Sequence, residues 1–390
     1  MTSFLPRLRR LLLTPAVLLS LAGSLIDASA AEERTESTPS LPVYQPRFGR
    51  TRPVIAIVGE NSGTELSDFA IPYGVLRRAH VAEVFTVSTQ PGVLRMRPAL
   101  RVQADATIAE FDARFPEGAD YVIVPAVVKF RDPALLAWLK SQGAKGSTLM
   151  SICDGAAVVA GTGLMDGHRA TAHWASAKNR RKLFPNVNWV ADVRYLSDGK
   201  IISTAGISAA LPASLGLVEA IAGHERALAL ADEMGVSDWS TAHRTAPFRP
   251  RLGVNLKALV AVTYTNGWFH RTEMIGLPIA DGVDEIALAV MADGYSRTGR
   301  SMLHALASSA DPVRTRSGLL VIPDVAGGTH RMNRELPPLD GTPSGLWLAK
   351  SVEGISQLYG RNTAYGVALN FEYPYIPGCP LNKTREVARQ

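Results

Sequence analysis

The chain has 390 residues, 46% of them apolar, and a formal net charge of +6. It is long and apolar enough to bury one sizeable core or two smaller ones, which excludes disorder over the whole length. Setting aside the first thirty residues, with three arginines and one aspartate, lowers the charge from +6 to +4, too modest to imply a nucleic-acid partner.

Residues 1–30 have the anatomy of an export signal. Arg7, Arg9 and Arg10 precede an apolar run from Leu11 to Ile26, and Ala28-Ser29-Ala30 fits the small-residue cleavage rule. Cleavage after Ala30 makes the mature protein periplasmic or secreted. An uncleaved leader would anchor it, the one route to a membrane in this reading. Residues 31–51 are polar and contain proline, as a linker does.

A domain is expected over 52–236. Pro53–Val58, Ala82–Val87, Tyr121–Val124 and Ser147–Ile152 read as buried strands. Helices are expected at Ser67–Arg78, Asp132–Gln142, Gly155–Gly161, Ser208–Ala222 and His224–Met234. This alternation predicts a doubly wound, mostly parallel sheet with helices on both faces. Asn188–Tyr195 and Lys200–Thr204, joined through Ser197-Asp-Gly199, read as an added hairpin. Lys178-Asn-Arg-Arg-Lys182 reads as a solvated helix face.

Residues 237–281 read as a connector with one strand-like run at Leu259–Thr265. Beyond it, Glu285–Val290 echoes Val54–Val58, and Ala310–Asp324 echoes Gln90–Asp105. These echoes predict a smaller, truncated α/β module over 282–376, a degenerate partial repeat without a cysteine, or else chance similarity of two βαβ segments. Residues 377–390 form a Pro-containing tail.

Ser151–Ala156 is the segment richest in chemistry. It sets Cys153 between a strand-like run and a small-residue helix start, where a thiolate is favoured and backbone N–H groups can face an oxyanion. His173 follows twenty residues later as a base or ion-pair partner. The alternative is a small buried hydrophobe, and a bridge from Cys153 to Cys379 would remove the nucleophile. No i, i+4 histidine pair or Cys-x-x-Cys marks a metal site, and no glycine-rich dinucleotide loop is present, so neither metal nor cofactor is expected.

Cys153-Asp-Gly-Ala156, Gly163–Trp174, Leu183-Phe-Pro185, Asp198-Gly199 and Ser203–Ile207 follow one another in the order and spacing of the ThiJ/PfpI family, part of the class I glutamine amidotransferase-like superfamily. The chain most resembles the branch that includes isonitrile hydratases and the sensory halves of AraC-type regulators. The resemblance implies a flavodoxin-like fold and a catalytic Cys153 with His173 and Asp68. Asp68 matches the family's acidic position beside the cysteine, and Glu65 is the alternative acid. It also places the oxyanion site at Asp154, Gly155, Ala126 and Val127.

Two departures matter. Asp154 stands where isonitrile hydratases and many relatives carry threonine, and Val124-Pro-Ala-Val127 replaces the usual Pro-Gly-Gly, narrowing the oxyanion loop. Ala227–Ser237 has the cadence of half a helix-turn-helix, but residues 237–390 carry no pair of them, so a DNA-binding regulator is not expected. Two functions stay open: a cysteine-dependent hydrolase or hydratase acting on a small electrophile, and a non-catalytic ligand-binding or stress-response module. The family's habit of dimerising leaves a homodimer or an intramolecular pseudo-dimer as the expected assembly.

Overall fold

The computed structural model describes residues 41–327 and 331–375. The leader with its cleavage site, the first part of the linker, and the tail with Cys379 lie outside the described residues. Seven strands form the main sheet: β1 Val54–Gly59, β2 Glu83–Ser88, β3 Ala106–Thr107, β4 Tyr121–Val124, β5 Thr148–Ser151, β6 Tyr195–Asp198 and β7 Ile201–Thr204. Their order is β6-β7-β5-β4-β1-β2-β3, parallel throughout except for the antiparallel β6–β7 hairpin. β1 is buried along its whole length, as a central strand covered on both faces must be. The hairpin is shorter than expected, because Asn188–Trp189 leaves it and pairs in parallel with Arg169–Ala170.

The helices that set the site are α1 Leu66–Ala79, α2 Pro133–Ala144, α3 Gly155–Gly161, α4 Ala210–Ala222 and α5 His224–Met234. α2 and α3 cover one face of the sheet in a core with Val122, Leu139 and Val158. α1 and α4 cover the other, and that core continues without a break into the C-terminal half. Each fully buried aliphatic side chain there contributes roughly 1.5–3 kcal/mol of transfer free energy.

The C-terminal half is a smaller α/β region built from β8 Glu273–Pro278, α6 Glu285–Ser296, β9 Ser301–Ala307 and the helix pair α7 Trp347–Tyr359 and α8 Arg361–Phe371. β8 and β9 are the parallel centre of a four-stranded sheet. Two expectations fail here. Glu285–Val290 is the start of a helix, because Asp284 caps it by accepting hydrogen bonds from the N–H groups of Ile286 and Ala287. Leu259–Thr265 is also helical, with a π-turn over Ala261–Thr265.

With the strand assigned to β8, the two halves align element by element. β8 starts 219 residues after β1 and has the same length. The same offset carries α1 onto α6, Arg101–Gln103 onto Leu320–Ile322 and Ala106–Thr107 onto Val325–Ala326. A second offset of 137 carries α4 and α5 onto α7 and α8, with Gly223 (φ 86°) and Gly360 (φ 83°) making the same joint. Arg334–Glu335 pairs in parallel with β8 as β4 pairs with β1, and among the described residues the second half has no counterpart of β5 and α3. The missing stretch is the one that carries the cysteine.

The halves meet about the equivalent elements. Leu320–Ile322 pairs antiparallel with Arg101–Gln103, so that Val102 faces Val321. α1 packs on α6 across Gly74, where an added Cβ would lie 2.6 Å from Glu285 Oε1 and 2.7 Å from Ile286. Arg78 pairs with Asp284 at 2.9 Å, and Arg297 pairs with Glu65. These are corresponding residues with the halves exchanged.

Candidate functional site

Cys153 sits where β5 turns into α3. Its φ of 56° is left-handed, a strained conformation for a residue with a side chain. Three contacts hold it there. Ile152 N–H donates to the Val124 carbonyl at 3.0 Å, Gly155 N–H closes the turn on the Ile152 carbonyl at 2.8 Å, and Cys153 N–H donates to Thr204 Oγ1 at 3.1 Å. Gly155 is obligatory, because a Cβ there would lie 1.9 Å from the Val124 carbonyl oxygen. The sequence thus dictates a nucleophile-elbow geometry.

The electrostatics run against a thiolate. Cys153 is a free thiol only 6% exposed. Burial raises its pKa well above the ordinary range, and the carboxylates of Asp68, Asp154, Glu65 and Glu372 raise it further. The thiol is therefore protonated at neutral pH, contrary to the thiolate expected from the elbow alone.

His173 does not offer a free nitrogen. Its Nδ1 accepts from Ala175 N–H at 3.2 Å, and its Nε2 lies 3.0 Å from the Asn370 carbonyl. Since the carbonyl can only accept, Nε2 carries the proton and the ring is spent on backbone at both ends.

Asp68, in the first turn of α1, is fully buried. Its Oδ2 accepts from Ala126 N–H at 3.2 Å, while Oδ1 has no partner among the described residues. Burial raises its pKa well above the usual carboxylate range, with Asp293 and Asp154 adding to the shift against the Ala126 hydrogen bond and Arg297. Asp68 thus holds a proton beside the cysteine. Ala126 N–H, expected to face substrate, is used on Asp68 instead. Val127 lies in a bridge with Thr64, half-buried. Asp154 stands at the N-cap position of α3 without a side-chain capping bond, and its Oδ1 accepts from Ser176 Oγ at 2.6 Å. Ser176 is in turn bonded by Arg180 at 2.9 Å. Arg180 is buried, unlike its exposed neighbours Lys178, Arg181 and Lys182, so the expected solvated face holds for the other three.

Glu65, the alternative acid, faces the C-terminal half. It pairs with Arg297, which also pairs with Asp293, and Asp293 accepts from Ser67 Oγ at 2.7 Å. Burial opposes the charge on Arg297, yet Asp293 and Glu65 raise its pKa, so the guanidinium stays protonated. One cation thereby serves two acidic side chains, Glu65 and Asp293.

Sequence reasoning missed this partner set and Glu372. At the end of α8, Glu372 takes a left-handed φ of 53°. Its Oε1 accepts from Trp174 N–H at 2.7 Å, and its Oε2 lies 2.9 Å from His243 Nε2. Burial would raise its pKa, but the contacts with His243, His173 and Trp174 N–H lower it, so Glu372 stays ionised. No local motif announces it. The i, i+4 spacing of Asp293 and Arg297 was the one readable signal.

Glu372 is also a wall of a cavity of about 450 Å³ between the halves. Equivalent residues line it in pairs, Ile71 with Val290 and Leu211 with Leu348, and His243 completes the polar end beside Glu372. Cys153 is not among the lining residues. The volume falls in the range of small-molecule pockets.

A DJ-1/PfpI family model matches residues 54–220. The HTH-type transcriptional regulator CdhR of Pseudomonas aeruginosa is 31% identical over 132 residues, 33% of this chain and 39% of the regulator. The isonitrile hydratase of Pseudomonas putida is 31% identical over 97 residues, 25% of this chain and 41% of that enzyme. The chain thus spans about two fifths of the length of these two relatives. The crystal structure of Drosophila melanogaster DJ-1beta superposes with a TM-score of 0.44 at 22% identity, covering 48% of this chain and all of that one. Family model, elbow and sheet order agree: over residues 54–220 the chain carries a DJ-1/PfpI family domain.

Proposed function

We propose that the protein is a ligand-binding or stress-response module built on the DJ-1/PfpI fold, with a silent cysteine, and that the cavity between its halves is where a small molecule sits. The observation that carries this reading is the commitment of both His173 nitrogens to backbone, with Cys153 buried among acidic side chains that hold its pKa high. A cysteine nucleophile needs a base within reach or a lowered pKa. Cys153 has neither.

A second reading is favoured by Asp68. A protonated acid beside a thiol suits hydration of a nitrile-like carbon, which must be protonated as it is attacked. It draws support from the isonitrile hydratase relative. Asp154 in the threonine position counts against it.

One experiment separates the two. Purified protein is screened against isonitriles, small amides and α-oxoaldehydes, with Cys153→Ala and Asp68→Asn in parallel. The module reading expects no turnover that Cys153→Ala abolishes. Isonitrile hydration lost in both variants would establish the second reading and sink the first.

The pseudo-dimer belongs to this proposal. The C-terminal half takes the place of a partner subunit, repeating the interface elements and lacking the cysteine segment. Export through residues 1–30 is proposed with it, and cell fractionation tests it: protein confined to the cytoplasmic fraction would refute export.

A further inference from the structure

The helical segment between the two α/β regions has a face that no described residue covers. Leu256–Val260, the π-turn Ala261–Thr265 and Asn266–Phe269 run on as one stretch. Its inner side, with Ala258, Leu259 and Val262, is buried on α8, where Gly366 leaves room for the Ala258 carbonyl and Val262. On the outer side Val260, Tyr264 and Trp268 recur every fourth residue, at 38%, 60% and 82% exposure. Phe269 at 76% and Leu252 at 88% extend this apolar surface at its two ends. Scattered exposed hydrophobes need no explanation, but a row of them on one helix does.

The charge along this stretch of chain is of one sign. Between Thr241 and Thr272 stand Arg244, Arg249, Arg251, Lys257 and Arg271, five cations with no Asp or Glu among them. All five are exposed, and none has a side-chain hydrogen bond or ion pair with another described residue. A helix with aromatic and aliphatic side chains on its outer side, in a stretch of chain whose only charged side chains are exposed cations, has the composition of one that lies in a membrane interface.

We propose that this face seats on an anionic lipid bilayer, with Trp268, Phe269 and Leu252 entering the headgroup region and Arg249, Arg251, Lys257 and Arg271 meeting lipid phosphates, while Arg244 lines the cavity between the halves. A second copy is a poorer occupant, since an isologous contact would set two such all-cationic faces against each other. Single-stranded nucleic acid would use the cations and Trp268, but Leu252 and Val260 have no ring on which a base could stack. No helix among the described residues is long and apolar enough to cross a membrane.

The test uses the full chain with vesicles of phosphatidylglycerol or phosphatidylcholine. Trp268 is the one exposed residue among six tryptophans, so quenching by brominated acyl chains reports its depth. Binding to phosphatidylglycerol vesicles is expected, with Trp268 quenched and phosphatidylcholine bound more weakly. Trp268→Ser with Phe269→Ser should weaken binding about tenfold without lowering the melting temperature, since both side chains stand in solvent. Binding that leaves Trp268 unquenched would place the lipid contact elsewhere, the leader included, and overturn the proposal. Equal binding to both lipids, or protein-concentration-dependent dimerisation lost in the double variant, would overturn it as well.

Discussion

Val102 faces Val321 in the ladder between Arg101–Gln103 and Leu320–Ile322, and Val321 stands at the same place in the second half that Val102 holds in the first. A residue that meets its own counterpart marks a two-fold relation. Here both partners belong to one chain. The ion pairs Arg78–Asp284 and Arg297–Glu65 repeat the relation in charge, and Ile71 with Val290 repeats it in the cavity wall.

If the second half replaces a partner subunit, the protein should be a monomer. Size-exclusion with light scattering is expected to give the mass of one chain, 41.8 kDa or that less the leader, at every concentration. A stable two-chain mass would show that the internal copy leaves the partner face open.

The reciprocal ion pairs should be costly to break. Arg297→Met leaves Glu65 and Asp293 buried without their cation, and a loss of about 3 kcal/mol or more is expected in chemical denaturation. Adding Glu65→Gln and Asp293→Asn should recover most of it. A single variant as stable as the parent would mean that solvent reaches the pair.

Gly155→Ala tests the elbow. A methyl 1.9 Å from the Val124 carbonyl oxygen must push β4 and α3 apart, at a cost of about 3 kcal/mol or more. Unchanged stability by thermal melt would show that the turn is looser than its hydrogen bonds imply.

Asp68 should make stability fall with rising pH. Its pKa is raised on folding, so the folded state holds a proton that the unfolded state has released. Stability from this group is full below the unfolded pKa of about 4 and is lost as pH rises toward the folded one. Asp68→Asn should therefore raise the melting temperature at pH 8 and lose that advantage at pH 4, by about 1–2 kcal/mol between the extremes. A variant less stable than the parent at both pH values would show an ionised, satisfied carboxylate.

The main sheet was legible because β1 and β4 are continuous apolar runs and β2 and β5 are short apolar-centred runs, all separated by helical spacing, and the Cys-Asp-Gly turn admits few other geometries. The second half was legible in part. Ala310–Asp324 matches Gln90–Asp105 because Asp105 and Asp324 do the same job, accepting from the N–H groups of Thr86 and Ala305. Glu285–Val290 misled because six apolar-rich residues fit a strand or a helix equally, and the cap at Asp284 settles which. The contacts that decide the chemistry were not legible. Asn370 and Glu372 reach His173 and Trp174 from some two hundred residues away, through packing that leaves no local pattern.

The pH dependence of Cys153 alkylation tests the central claim most directly, with Cys379→Ala as the background. A protonated, buried thiol should react slowly at neutral pH, with an apparent pKa above the ~8.5 of free cysteine. Rapid alkylation at pH 6 would reveal a thiolate and contradict the silent-cysteine account.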